Sequence, residues 1–182
     1  MNGMTQHIPE TEQKANLSVS VVLGDITRVK VDAIATIIRP DLEITGSLNK
    51  SIFREAGPEL DDFILENIIE PREYDTFIVP GFQLPAEQII FSVLPIWRTD
   101  LDIIDKHLHN AVRGIMEVAR QSNVTSLALP LLCCGKKGYP LSRGIRLILQ
   151  GVSERLGPPI THINFTCNDR EAVDIYKKRL DI

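Results

Sequence analysis

The stretch LLCCGKKGYP, residues 131–140, gathers the residue types that hold phosphate. Gly135 and Gly138 let successive backbone amides converge on an anion, and Lys136 and Lys137 add positive charge beside them. Taken alone, the stretch is equally well explained as a Gly-rich turn with solvated lysines, because such loops commonly join strands to helices. A phosphate-binding Walker loop needs Ser or Thr after Gly-Lys, and Lys137 stands there instead. Cys133 and Cys134 read as small buried hydrophobes in preference to nucleophiles, and the stretch supplies too few ligands for a metal. Arg39 offers a guanidinium fork for phosphate or carboxylate. A surface arginine ahead of Pro40 explains it as readily.

The flanking sequence shows what must position these residues. LSVSVVL (17–23) alternates as a half-buried strand does, with Leu17, Val19, Val21 and Leu23 on one face. VDAIATII (31–38) is continuously apolar, as suits a strand covered on both sides. Thr45 to Gly57 carries Leu48, Ile52 and Ala56 at a spacing of four, and Pro58 is placed to open a second helix. QIIFSVLP (88–95) and TSLALPLL (125–132) are further strands. From an N-cap at Asp100, Leu101, Ile104, Leu108, Val112, Ile115 and Val118 recur at helical steps. Ser142 is predicted to cap the next helix, whose apolar face is Ile145, Ile148, Leu149, Val152 and Leu156. ITHINFT (160–166) is a last strand, and Asp169 caps a closing helix through Leu180. Strands alternating with helices predict a three-layer α/β/α sandwich around a mixed, largely parallel sheet. The expected organisation is a flexible polar tail over 1–16 and one domain over 17–182.

Composition narrows the function classes. The 182 residues are 43% hydrophobic and 24% charged, with a formal net charge of -4. That charge argues against direct nucleic-acid binding. No apolar run is long enough to span a membrane, and the N-terminus lacks a signal peptide's apolar region. Three cysteines, two adjacent, make no disulfide framework, so a reducing cytoplasm is the expected setting. His107 and His109 are two apart on a helix and project to different faces, which does not build a metal pair. No metal and no cofactor are expected.

Four segments stand in order: LGDITRVKVDAI (23–34), NKSIFREAGPEL (49–60), GFQLPAEQIIFSVLP (81–95) and ALPLLCCGKKGYP (128–140). Together they resemble the macrodomain family, which recognises ADP-ribose and its derivatives. The resemblance covers roughly residues 17–180. It implies that Asp25 accepts a hydrogen bond from the adenine amino group while neighbouring backbone, at Ile26, fixes the ring edge. The segment from Gly135 to Tyr139 matches the family's second phosphate loop, with Cys133 and Cys134 where serine or threonine is usual. The resemblance thus puts Cys133, Cys134, Gly135, Lys136, Lys137 and Gly138 around a diphosphate and Tyr139 against the distal ribose and phosphate.

The first loop departs from that pattern. Family hydrolases carry Asn-Ala-Ala-Asn where this chain reads Thr36-Ile37-Ile38-Arg39, and a glycine triplet where it reads Ile44-Thr45-Gly46. An acidic position aligns with Asn49, whose amide cannot act as a general base. The usual adenine-stacking aromatic is replaced by Asn168, and Phe165 is expected to face the core. The resemblance therefore implies a binding module for ADP-ribose or a related adenosine diphosphate derivative, free or attached to a macromolecule, with weak or no hydrolysis and no assigned catalytic residue. Arg39 would help shape the distal end. Two alternatives stay open: hydrolysis of ADP-ribosyl linkages by water activated through the ligand's own phosphate, and a degenerate pocket serving as a protein-interaction scaffold.

Overall fold

The computed structural model describes residues 17–95, 100–132 and 139–182. The expected tail over 1–16 lies outside these residues, as do Trp97 and the segment Cys133–Gly138. Along the chain run β1 (Ser18–Leu23), β2 (Ala33–Ile38), α1 (Gly46–Ala56), α2 (Pro58–Asn67), β3 (Thr76–Pro80) and β4 (Gln88–Val93). They are followed by α3 (Leu101–Gln121), β5 (Ser126–Leu129), α4 (Leu141–Arg155), β6 (His162–Cys167) and α5 (Arg170–Leu180). A short 3-10 turn, Ile26–Arg28, follows β1.

The strands form one mixed sheet in the order β1-β6-β5-β2-β4-β3. All neighbours pair in parallel except β3, which runs antiparallel to β4 at the edge. Sequence reading placed no strand at 76–80. TFIVP is short, ends in proline and only partly buries its residues, so its pattern is weak. Alternate residues of β2 serve opposite layers, as a doubly covered strand requires. Ala33 and Ala35 pack with α3, α4 and α5; Ile34 and Ile38 pack with α1 and α2. Phe165 belongs to the former layer, stacked on Tyr176 at 4.6 Å between centroids. The expected α/β/α sandwich is present.

Local signals explain most boundaries. Asp100 caps α3 by accepting bonds from the amides of Asp102 and Ile103, and Asp169 caps α5 through the amide of Glu171. Pro58 starts α2, where its missing N–H costs nothing. The Ser142 expectation needs correction: α4 begins at Leu141 with Pro140 at the cap position, so Ser142 already lies in the first turn. That helix ends at Arg155, leaving Leu156 exposed as its C-cap. Gly151 is required by packing, since a Cβ there would come within 2.9 Å of Val112 on α3. The Asp of VDAI fixes register: Asp32 Oδ2 accepts from the Thr125 amide (2.7 Å), the Thr125 hydroxyl (2.6 Å) and the Ser126 amide (3.1 Å). Its own amide donates to Ser126 Oγ at 2.8 Å, so the starts of β2 and β5 are clasped together.

Candidate functional site

Four parallel strands, β1, β6, β5 and β2, end on the same edge of the sheet, where ligands of open α/β folds bind. A cleft of about 460 Å³ lies there. Its described lining comprises Gly24–Ile26 after β1, Thr36 and Ile37 on β2, and Thr45–Asn49 with Ser51 on α1. Pro130–Leu132 after β5 and Thr166 and Asn168 from β6 complete it.

Asp25 owes its position to pairing between β1 and β6. Leu23 stands opposite Cys167, and the Gly24 amide donates to the Cys167 carbonyl at 2.8 Å, which sets Asp25 beside Asn168 at the strand ends. The Asp25 Oδ1 accepts from the Thr27 hydroxyl (2.7 Å) and amide (2.9 Å). Those two bonds hold its carboxyl below the ordinary carboxylate value, against a smaller opposing effect of burial. Asp25 is therefore ionised at neutral pH, and its Oδ2 makes no hydrogen bond among the described residues. It is also the only ionisable side chain among the described residues lining the cleft. Ile26, the next residue, is buried and also lines the cleft.

The first turn of α1 also lines the cleft. Gly46 sits at φ +78° with open space where a Cβ would point, and Thr45 makes no side-chain cap bond. Uncapped amides at a helix N-terminus carry partial positive charge, so this wall is suited to an anion. Asn49 is buried at 6% exposure; its Oδ1 accepts from the Thr36 hydroxyl at 2.6 Å and its Nδ2 donates to the Ile37 carbonyl at 2.7 Å. Sequence reading marked Asn49 as a substituted acid but missed Thr36 as its partner. The available signal was a lone hydroxyl inside the apolar run AIATII.

Other singled-out residues lie elsewhere. Arg39 pairs with Asp41 and with Glu43 (2.9 Å), and it is not among the described lining residues. Tyr139 is 6% exposed within the α3–α5 layer, and its hydroxyl donates to Asp105 on α3. Asp105 is also gripped by Arg143 at 2.7–3.0 Å, which ties α4 to α3. Tyr139 likewise is not among the described lining residues. Cys133, Cys134, Gly135, Lys136, Lys137 and Gly138 lie outside the described residues. His107 bonds the Tyr74 hydroxyl (2.7 Å) and His109 bonds Glu154 (2.9 Å), on different faces of α3. Among the described residues no group of three or more His, Cys, Asp or Glu is placed to hold a metal ion, and no helix is long and apolar enough to cross a membrane.

Known proteins are similar to this chain in sequence and fold. The Macro domain family profile matches residues 40–148. An O-acetyl-ADP-ribose deacetylase of Citrobacter rodentium is 32% identical over 176 residues, covering 91% of this chain and 96% of the relative. The O-acetyl-ADP-ribose deacetylase of Escherichia coli K12 is 30% identical over 168 residues, covering 89% and 94%. The Oceanobacillus iheyensis macrodomain solved with ADP superposes with a TM-score of 0.80 at 26% identity, covering 91% of each chain. Sequence profile, near full-length relatives and structural superposition agree, and the chain belongs to the macrodomain family.

Proposed function

We propose that the chain binds ADP-ribose or a related adenosine diphosphate derivative in the cleft at the carboxyl edge of the sheet. The observation that carries the reading is the cleft itself. One ionised carboxylate, Asp25, and the uncapped first turn of α1 both line it. Asp25 suits the exocyclic amine of adenine, with Ile26 at the ring edge. The α1 turn and the backbone of 133–138 suit the diphosphate. The match to a macrodomain solved with ADP supports the same ligand class. Residues 17–182 act as one domain with 1–16 as a polar tail, and the reducing cytoplasm is the proposed setting.

Turnover is weak or absent in this reading. The described lining offers no carboxylate other than Asp25, and the Asn49 amide cannot act as a general base. A second reading has its own support, because relatives at 30–32% identity are named O-acetyl-ADP-ribose deacetylase. Hydrolysis through water activated by the ligand's phosphate needs no protein carboxylate.

Calorimetric titration with ADP-ribose tests the first reading. The parent protein is expected to bind, and Asp25→Ala to weaken binding by about tenfold or more, the worth of a lost bond to a charged acceptor. A folded parent that gives no binding heat overturns it. Acetate release from O-acetyl-ADP-ribose separates the two readings: sustained release well above the uncatalysed rate moves the chain to the hydrolases.

A further inference from the structure

Asn49 and Thr36 form a buried polar bracket with no packing reason to exist. Thr36 has 0% exposure on a strand otherwise built of Ala and Ile, and Asn49 is the only buried polar residue of α1. An unpaired buried hydroxyl or amide is costly, and here each group satisfies the other. Their geometry has one sense only. The Ile37 carbonyl can only accept, so the Asn49 Nδ2 must face it and the Oδ1 must receive the Thr36 hydroxyl. The amide thereby spans two successive residues at the end of β2 and fixes α1 at its first turn. That turn, Thr45 to Leu48, lines the cleft together with Thr36, Ile37 and Asn49. Gly46 at φ +78° makes the approach to the helix a conformationally permissive stretch, and the Thr45 side chain does not close it.

We infer that Asn49 is a positioning residue of the nucleotide site, with Thr36 as its partner: the bracket holds the uncapped amides of the α1 first turn at the spacing that the ligand's diphosphate requires. This rests on the ADP-ribose reading above. The side chain acts through the backbone it fixes: each end of its amide makes an internal bond, to the Thr36 hydroxyl and to the Ile37 carbonyl. Loss of the bracket should therefore loosen the α1 turn and weaken diphosphate binding, while leaving the Asp25 end of the cleft as it was.

The test uses the full chain with Asn49→Leu and, as the milder change, Thr36→Val, each checked for native circular dichroism. Amide exchange is followed by mass spectrometry in the ligand-free protein, and affinities for ADP-ribose and AMP are measured side by side. Exchange over residues 45–49 is expected to quicken by about tenfold while α3 is unchanged, as for a local opening. ADP-ribose affinity is expected to fall by about tenfold, and AMP affinity by less than about threefold. Unchanged exchange, or equal losses for both nucleotides, in folded variants overturns the inference. Should the parent bind neither nucleotide, the ADP-ribose reading fails separately. Exchange then decides the bracket alone: quickened exchange retains it and unchanged exchange removes it.

Discussion

Cys167 ends β6 with 1% of its surface exposed, one residue before the cleft-lining Asn168. Burial pushes its thiol up to about 11, with the nearby Asp169 charge adding to the effect. At pH 8 such a thiol is ionised in only about one molecule in a thousand. In a chain carrying Cys133→Ser and Cys134→Ser, the native protein is expected to leave a thiol reagent such as Ellman's unreacted over minutes. One thiol per chain should then appear on unfolding in denaturant. Rapid reaction of the native variant would show that the end of β6 opens readily. The cysteine thus serves packing, and after the neighbouring strand β1 the carboxyl of Asp25 is kept ionised by two bonds from Thr27.

At the scale of elements, α3 is the longest helix and packs against both α4 and β4. Its start depends on one side chain: Asp100 Oδ1 takes the amides of Asp102 (2.9 Å) and Ile103 (3.4 Å). Asp100→Ala is expected to lower the stability of the fold by about 1 kcal/mol, the usual worth of such a cap. Asp100→Asn, which keeps an acceptor oxygen, is expected to retain most of it. Urea denaturation of the two variants beside the parent checks both statements; equal loss would show that the charge at the helix terminus matters more than the bond.

For the whole molecule, several structural carboxylates are held below their ordinary values. Burial opposes the ionisation of Asp32, but hydrogen bonds donated to it by Thr125 and Ser126 outweigh it. Burial likewise opposes Asp105, and bonds from Arg143 and Tyr139 outweigh that. Asp25 is lowered by Thr27. A depressed folded value means that the unfolded chain binds more protons between the two values, so stability falls as pH falls. The contribution is complete above about pH 5, begins to fade near the unfolded carboxylate value of about 4, and is lost below the folded values. Urea midpoints are expected to be steady from pH 7 to 5 and to drop from pH 4 to 3. A midpoint unchanged down to pH 3 would contradict these assignments. The affected groups clasp different junctions, β2 to β5 through Asp32 and α3 to α4 through Asp105, so acid should loosen the assembly as a whole.

The sequence by itself determined the layers. Helical and alternating periodicities, with caps at Asp100 and Asp169, are local properties, and they marked every strand but β3 and every described helix to within a few residues. Asp25 was legible as a site candidate only through the resemblance of LGDITRVKVDAI to a macrodomain segment; taken alone it reads as a turn or capping residue. What the tertiary structure decided is which of the polar residues meet. Arg39 is drawn to Asp41 and Glu43, and Tyr139 to Asp105 on α3. Thr36 and Asn49 are joined across 13 positions of sequence by a bond that no periodicity announces. Hydrogen-bond partners are chosen by distance once the layers have closed, and that distance is set by packing of the whole chain.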